Sequence, residues 1–295
     1  VRIGDLLQKA KNESWLLGQD IAWETPVSPE RLRTPEPLCS IADLDAYRKM
    51  PAKERDAYRL KETAWALSNL VYGEERGALL GAQVIVDRLE AGTHADDAEF
   101  LGVLVAEEAR HHEALARYMN EKIGIAYAPH RAMIDLFRAL QKHPLWELKV
   151  IVGQILFEPT ACSMLHSLLI RAEEPLLFDL VRRILRDEAR HLTYSYSVAG
   201  GLVRRLKKPE LKEAEDLLFE SIVGCVTAFM PIEPWAEHGL PLTACKQSAV
   251  EALEKRGVIE FFGKVMPAQL ARHGFPSTRL RDRVHHDLAK TLGAR

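Results

Sequence analysis

One phrase occurs twice in this chain of 295 residues. Ala-Glu-Glu-Ala-Arg-His fills positions 106–111, and Arg-Asp-Glu-Ala-Arg-His fills positions 186–191. Aligned, both read acid-Glu-Ala-Arg-His, so Glu108 and His111 match Glu188 and His191. Residues three apart share one face of a helix, so each copy aims a carboxylate and an imidazole at one point. Two Glu-x-x-His helices, each partnered by a helix that supplies one further Glu, build a carboxylate-bridged pair of metal ions inside a four-helix bundle. The rest of the chain must then provide two more long helices, each with one carboxylate on its buried face.

Both are present. The stretch 52–89 has no proline, and Leu67, Val71, Ala78, Gly81 and Ile85 recur in it at helical spacing. Glu74 lies in that stripe, where a carboxylate needs a partner or a metal because unpaired burial is costly. Glu75, one position round, faces outward. Gly77 and Gly81, one turn apart, let a neighbouring helix approach closely. Gly92-Thr93 ends this helix, and Asp96 or Asp97 starts the next, which places Glu108 and His111 among Leu101, Leu104, Val105 and Leu115. The second hairpin opens with a helix over about 145–171, whose inward stripe is Ile151, Ile155, Glu158, Cys162 and Leu165. Pro159 follows Glu158 directly; an interior proline removes a backbone hydrogen bond and kinks or bulges the helix. After the Glu173-Glu174-Pro175 turn, a helix over about 176–206 carries Val181, Ile184, Leu185, Glu188, His191, Leu192 and Ser195.

The candidate metal ligands are therefore Glu74, Glu108, His111, Glu158, Glu188 and His191. Glu74 and Glu108 are 34 positions apart, and Glu158 and Glu188 are 30 apart. With arms of roughly 15 residues, about 22 Å of helix, both hairpins bring their ligands level at mid-bundle. Four carboxylates and two imidazoles suit two iron ions, with manganese as the alternative, rather than a thiolate-seeking metal. A ligating histidine donates its other ring N–H to an acceptor. Asp187 and Glu107, each just before a ligand Glu, are placed to accept from the opposite hairpin's histidine. Arg110 and Arg190 balance the carboxylate charge. His112 and His166 read as packing residues.

Prolines at 26, 29, 35 and 37 turn most of the first 50 residues into an extended arm, anchored by Trp15 and Trp23 after a short helix near 3–17. A short helix after Pro129 and the break at His143-Pro144 form the crossover between hairpins. Beyond Pro209 come further helices over about 211–230, 249–273 and 277–292, with a loop at 231–241 and no chemical motif. We therefore expect an all-α chain divided as arm (1–50), bundle (51–206) and additional C-terminal helices (207–295).

A net charge of −2 gives no sign of a nucleic-acid or anionic-membrane partner. No window approaches 18 uninterrupted apolar residues, so no membrane span is expected. The first residues lack the apolar stretch of a signal peptide. The four cysteines stand far apart, without a C-x-x-C pair. Reduced thiols and a cytoplasmic location are the simplest expectation, and the C-terminal helices could serve a homodimer contact.

The paired motifs resemble those of the ferritin-like diiron-carboxylate superfamily over about residues 55–205. Glu-Glu-Ala-Arg-His and Asp-Glu-Ala-Arg-His look like the motifs of soluble acyl-carrier-protein desaturases. The proline-rich arm with Trp23-Glu24-Thr25-Pro26, the chain length and the helices after the bundle are similar to the para-aminobenzoate N-oxygenases. That family has an extra histidine ligand one turn before the last Glu; here the position is Ile184, so six ligands are expected. The ribonucleotide reductase small subunit is less similar, because its radical tyrosine corresponds to Leu115. The resemblance implies an O2-activating diiron oxidoreductase, of monooxygenase or N-oxygenase type, acting on a small organic substrate in a short apolar cavity. Its electrons would come from a separate reductase or ferredoxin, since the chain has no flavin, nicotinamide or iron–sulfur motif. Desaturation of a carrier-bound acyl chain, or ferroxidase-type iron handling, are the alternatives.

Overall fold

Four helical segments run alongside one another in a computed structural model that describes residues 2–92, 97–171 and 173–292. The chain opens with α1 (Ile3–Asn12), a one-turn helix at Leu17–Asp20 and two 3-10 turns, Pro29–Leu32 and Glu36–Leu38. The bundle follows: α2 (Ala52–Glu90), α3 (Ala98–Tyr118), the crossover helix α4 (Arg131–Lys142), then α5 (Trp146–Val152) and α6 (Glu158–Arg171) joined by a π turn at Gly153–Phe157, and α7 (Pro175–Arg205). Beyond it come α8 (Lys208–Ala228), α9 (Leu242–Lys255), α10 (Met266–Arg272) and α11 (Thr278–Thr291). No strand occurs among the described residues. The boundary expected at Thr93 and Asp96 lies outside the described residues.

Local sequence sets the helix ends. Pro51 precedes α2, and Gly124 adopts φ 68° where a π turn closes the run begun by α3. At the start of α7 the fully buried Glu174 carboxylate accepts from the backbone N–H groups of Leu176 and Leu177, and the Tyr118 hydroxyl donates to it at 2.7 Å. One buried side chain thus satisfies two orphan N–H groups of one hairpin and ties it to the other.

Helices α2 and α3 pack along their length, as do α6 and α7, and α3 meets α7 across the middle. The stretches Trp146–Leu169 and Lys208–Glu237 are long and apolar enough to cross a membrane, but 72% and 61% of their most apolar windows are buried inside the protein. They are largely buried helices, the first in the bundle and the second packed against it.

Three expectations shift. The segment expected as a loop at 231–241 contains a short helix, Ile232–Glu237. The helix expected over 249–273 breaks at Gly257, where φ is 74°. The buried apolar positions of α2 are Tyr58, Ala64, Trp65, Leu67, Leu70, Leu80 and Val84, whereas Val71, Ala78 and Ile85 are only half-buried, because neighbours cover this helix on more than one side. The helix α8 packs on the bundle: it lies against α4 and α5, and the Trp65 indole donates to the Ala228 carbonyl at 3.0 Å.

Candidate metal centre

Six side chains from α2, α3, α6 and α7 converge in the middle of the bundle. Glu74, Glu108, His111 and Glu188 bring one donor atom each within 4.8 Å of one another, and so do Glu108, Glu158, Glu188 and His191. Glu108 and Glu188 belong to both groups and lie between them. All six are buried. These are the six positions named from the sequence. Glu74 is 3% exposed, whereas Glu75 turns outward to Arg76 at 3.2 Å.

Each histidine presents Nδ1 to the cluster and Nε2 to an acid outside it. His111 Nδ1 lies 3.2 Å from both Glu74 and Glu188, and its Nε2 lies 3.1 Å from Asp187 Oδ2. His191 Nδ1 lies 3.2 Å from Glu108, and its Nε2 lies 3.0 Å from Glu107 Oε2. The acid of one hairpin therefore meets the histidine of the other. Arg190 donates to both Glu107 (2.6 Å) and Asp187 (2.5 Å), and Arg110 donates to Asp187 at 2.9 Å.

The protein alone does not balance this site. Burial, together with the charges of Glu158, Glu188 and Glu74, pushes the Glu108 carboxyl well above its usual range. Burial and Glu188 push Glu158 up to about 8. Burial opposes the charge of His111, but hydrogen bonds with Asp187, Glu188 and Glu74 outweigh it and raise the imidazole well above its ordinary value. Burial likewise opposes the charge of Asp187, but the hydrogen bond from His111 and the neighbouring Trp15 and Arg190 hold its carboxyl below the usual range. Glu74 Oε1, Glu188 Oε2 and His191 Nδ1 are buried without a hydrogen bond of good geometry among the described residues. Carboxylates that crowd together, raised histidines and orphaned donor atoms all ask for positive charge at the centre. A mixed oxygen and nitrogen donor set fits iron or manganese.

Sequence reasoning missed three features of the site. Trp15 does more than anchor the arm: its indole donates to Asp187 Oδ2 at 2.7 Å, stacks on the His111 ring at 6.3 Å, and lies 4.8 Å beneath the Arg110 guanidinium. Next to it, Glu13 accepts from Arg190 at 2.9 Å. Gly77 is the second feature: a Cβ there would sit 2.6 Å from Glu108 Oε2, so the missing side chain leaves room for that carboxylate. The third is Gln154, whose amide donates to Glu158 at 2.9 Å and accepts from Ser195 at 3.0 Å. Its spacing of four from Glu158 was the available signal.

A cavity of about 90 Å³ opens onto Glu74, Glu108, Glu158 and Glu188. Its lining along α2 runs from Asn69 to Val84, about 22 Å of helix at a rise of ~1.5 Å per residue. The wall from the third bundle segment differs from expectation. Gly153, Gln154, Phe157, Thr160, Ala161 and Met164 line the cavity, while Ile155 and Cys162 do not. The π turn at Gly153–Phe157 inserts an extra residue per turn and rotates the face. Lys149 also reaches the lining, neutralised by an ion pair with Asp87. His112, His166, Ile184 and Leu115 stay outside the cluster. His112 and His166 lie beside backbone carbonyls, and Ile184 and Leu115 are core.

Fold and donor set together define a ferritin-like, dinuclear-metal oxidoreductase of the oxygenase and oxidase class. The family model of the p-aminobenzoate N-oxygenase AurF matches residues 2–267, and the chain belongs to that family. Two solved structures share the fold, both variants of an R2-like ligand-binding oxidase reconstituted with a Mn/Fe cofactor. One has 13% identity and a TM-score of 0.51 over 87% of this chain and 92% of the other. The second has 14% identity and a TM-score of 0.50 over 86% and 93%. No curated protein matches the sequence.

Proposed function

We propose that this chain is an O2-dependent oxygenase that inserts oxygen into an organic, aromatic-bearing substrate, with N-oxygenation of an arylamine as its leading reaction. The observation that carries the reading is the buried six-residue cluster opening onto an apolar cavity. Glu74 and His111 would hold one iron ion, Glu158 and His191 the second, and Glu108 and Glu188 would contact both, with manganese as the alternative metal. Bound there, the two ions would supply redox chemistry and Lewis acidity for O2 activation.

The chain's own residues do the rest. Asp187 and Glu107 accept the Nε2–H of His111 and His191, which fixes each tautomer with Nδ1 facing inward. Arg110 and Arg190 offset the charge of those acids. Trp15 covers His111 and keeps water from that side. Across the cavity Tyr72, Phe137 and Phe157 form an aromatic wall, with ring centroids 5.9 and 4.7 Å apart, suited to a flat ring. Electrons would come from a separate reductase or ferredoxin.

The test is metal content and oxygen incorporation in the purified protein. Iron-loaded, chemically reduced protein given p-aminobenzoate or an aniline under labelled O2 should return label in the product. Glu108→Ala should abolish metal binding and turnover while leaving helical circular dichroism intact. Full metal loading and activity in that variant would refute the ligand assignment. A second reading, oxidation of a carrier-bound acyl chain, draws on the length of the cavity lining. It predicts turnover of an acyl-carrier-protein thioester and none of anilines.

A further inference from the structure

The cavity at the carboxylate cluster has a neighbour. It shares Leu70, Thr160, Met164 and Ala228 with a second chamber of about 460 Å³, which lies between the bundle and the C-terminal helices. Most polar side chains of that chamber are committed locally. The Thr160 and Ser163 hydroxyls donate to carbonyls of their own helix, and His166 Nδ1 lies 2.8 Å from the Cys162 carbonyl. Arg256 donates to the carbonyls of Leu38 and Cys39.

Glu62 differs. It lines the same chamber and is only 6% exposed. Its Oε1 accepts from the Ser40 N–H at 2.7 Å, Oε2 has no partner of good hydrogen-bond geometry among the described residues, and the Cys39 thiol beside this carboxylate is only a weak donor. The neighbouring acids offer no cation: burial, with the charge of Glu62, pushes the ionisation of Cys39 and Tyr58 upward. A buried carboxylate on the wall of a cavity, with one oxygen unpaired, is costly unless a small side-chain movement brings that oxygen to a ligand.

We propose that the second chamber receives the end of the substrate remote from the metal centre, and that Glu62 selects a remote end bearing a hydrogen-bond-donating amine. This deepens the oxygenase reading and rests on it only for the reacting end. Glu62 and Glu74 lie twelve residues apart on α2, about 18 Å along its axis, so a substrate that reaches both is elongated, and a single aniline ring would occupy the metal end alone.

The test is binding of three matched probes, 4-phenylbutylamine, 4-phenylbutanol and 4-phenylbutyrate, to the full-length protein as isolated. Calorimetry gives the affinity, and Trp65, which lines the chamber, gives an independent fluorescence signal. The wild type should bind the amine about tenfold or more tightly than the acid, the usual scale of a charge-assisted hydrogen bond. Glu62→Gln keeps an acceptor for Ser40 and should erase most of that preference, with unchanged circular dichroism. Equal or tighter binding of the acid by the wild type would overturn the proposal and point to Arg256 instead. So would an amine preference that survives Glu62→Gln, or no binding of any probe. The wild-type comparison needs no variant to fold. Absence of the amine preference in wild-type protein that loads metal and turns over would sink this proposal alone. An intact preference without turnover would sink the oxygenase reading alone.

Discussion

Replacing Gly77 with alanine should separate the stability of α2 from the metal centre it carries. In a helix interior glycine is worse than alanine by about 1 kcal/mol, so the helix itself gains from the change. The new Cβ would stand 2.6 Å from Glu108 Oε2 and 3.1 Å from its carboxyl carbon, whereas ordinary contact begins at 3.4 Å. The carboxylate must therefore withdraw by roughly 0.8 Å, against a tolerance of about 0.2 Å in metal–ligand distances. Because Glu108 belongs to both donor groups, both metal positions feel the displacement.

Two measurements distinguish these effects. Competition with a chelator should show metal affinity reduced about 10- to 100-fold, the usual consequence of moving a ligand off its geometry. Calorimetry of the metal-free variant should show a melting temperature unchanged or raised by about 2–4 °C. Wild-type metal affinity in Gly77→Ala would mean that Glu108 is not confined against α2, and the reasoning would fail. A metal-free protein that melts several degrees lower would place the strain in the backbone rather than in the carboxylate.

Glu74→Gln should weaken metal binding while Glu75→Gln leaves it unchanged; the reverse pattern in metal analysis would mean that the inward face of α2 is misassigned by one residue. Trp15→Phe removes a 2.7 Å hydrogen bond to Asp187 and should cost about 1.5–3 kcal/mol, read as a lower melting temperature and faster proteolysis of the arm with metal content retained. An arm as protease-resistant as in the wild type would show that the contact does not hold it. Glu158 is raised from 4.5 to about 8 in the folded metal-free protein, so that state binds the extra proton and this carboxyl's own contribution to stability is full below pH 4.5. That contribution is lost as pH rises toward 8. The melting temperature of metal-free protein should accordingly fall across this window, and a flat profile there would contradict the crowding of carboxylates.

What the sequence could and could not reveal follows from the range of each interaction. The six clustered side chains were legible because Glu-x-x-His and a carboxylate in an apolar stripe are statements about helix phase, and α2, α3 and α7 are regular helices whose phase survives to the ligand. The crosswise pairing of Asp187 with His111, and of Glu107 with His191, was legible for the same reason: each acid sits one position before a ligand on a known face. The wall of the cavity was not legible. Pro159 marks the third bundle segment as irregular, but nothing in the residue pattern says that the irregularity is a π turn at Gly153–Phe157. That turn exchanges Ile155 and Cys162 for Gln154, Phe157 and Thr160 along the cavity.

Long-range partners were beyond reach for a different reason. Trp15 meets Asp187 across 172 positions, and Trp65 meets Ala228 across 163; no periodicity connects such pairs. These contacts also explain why a bundle of this kind carries an arm and a C-terminal extension. The arm brings Trp15 to Asp187 and Glu13 to Arg190, beside the acids that hold the histidines in place. Helices α8 and α9, with the segment around Phe262, roof the second chamber through Ala228, Ala249 and Leu253. Without them Glu62 would face water, and an exposed carboxylate discriminates weakly between an amine and an acid because solvent screens it. The C-terminal segment carries no motif, yet it creates the low-dielectric surroundings in which one unpaired oxygen can choose a substrate.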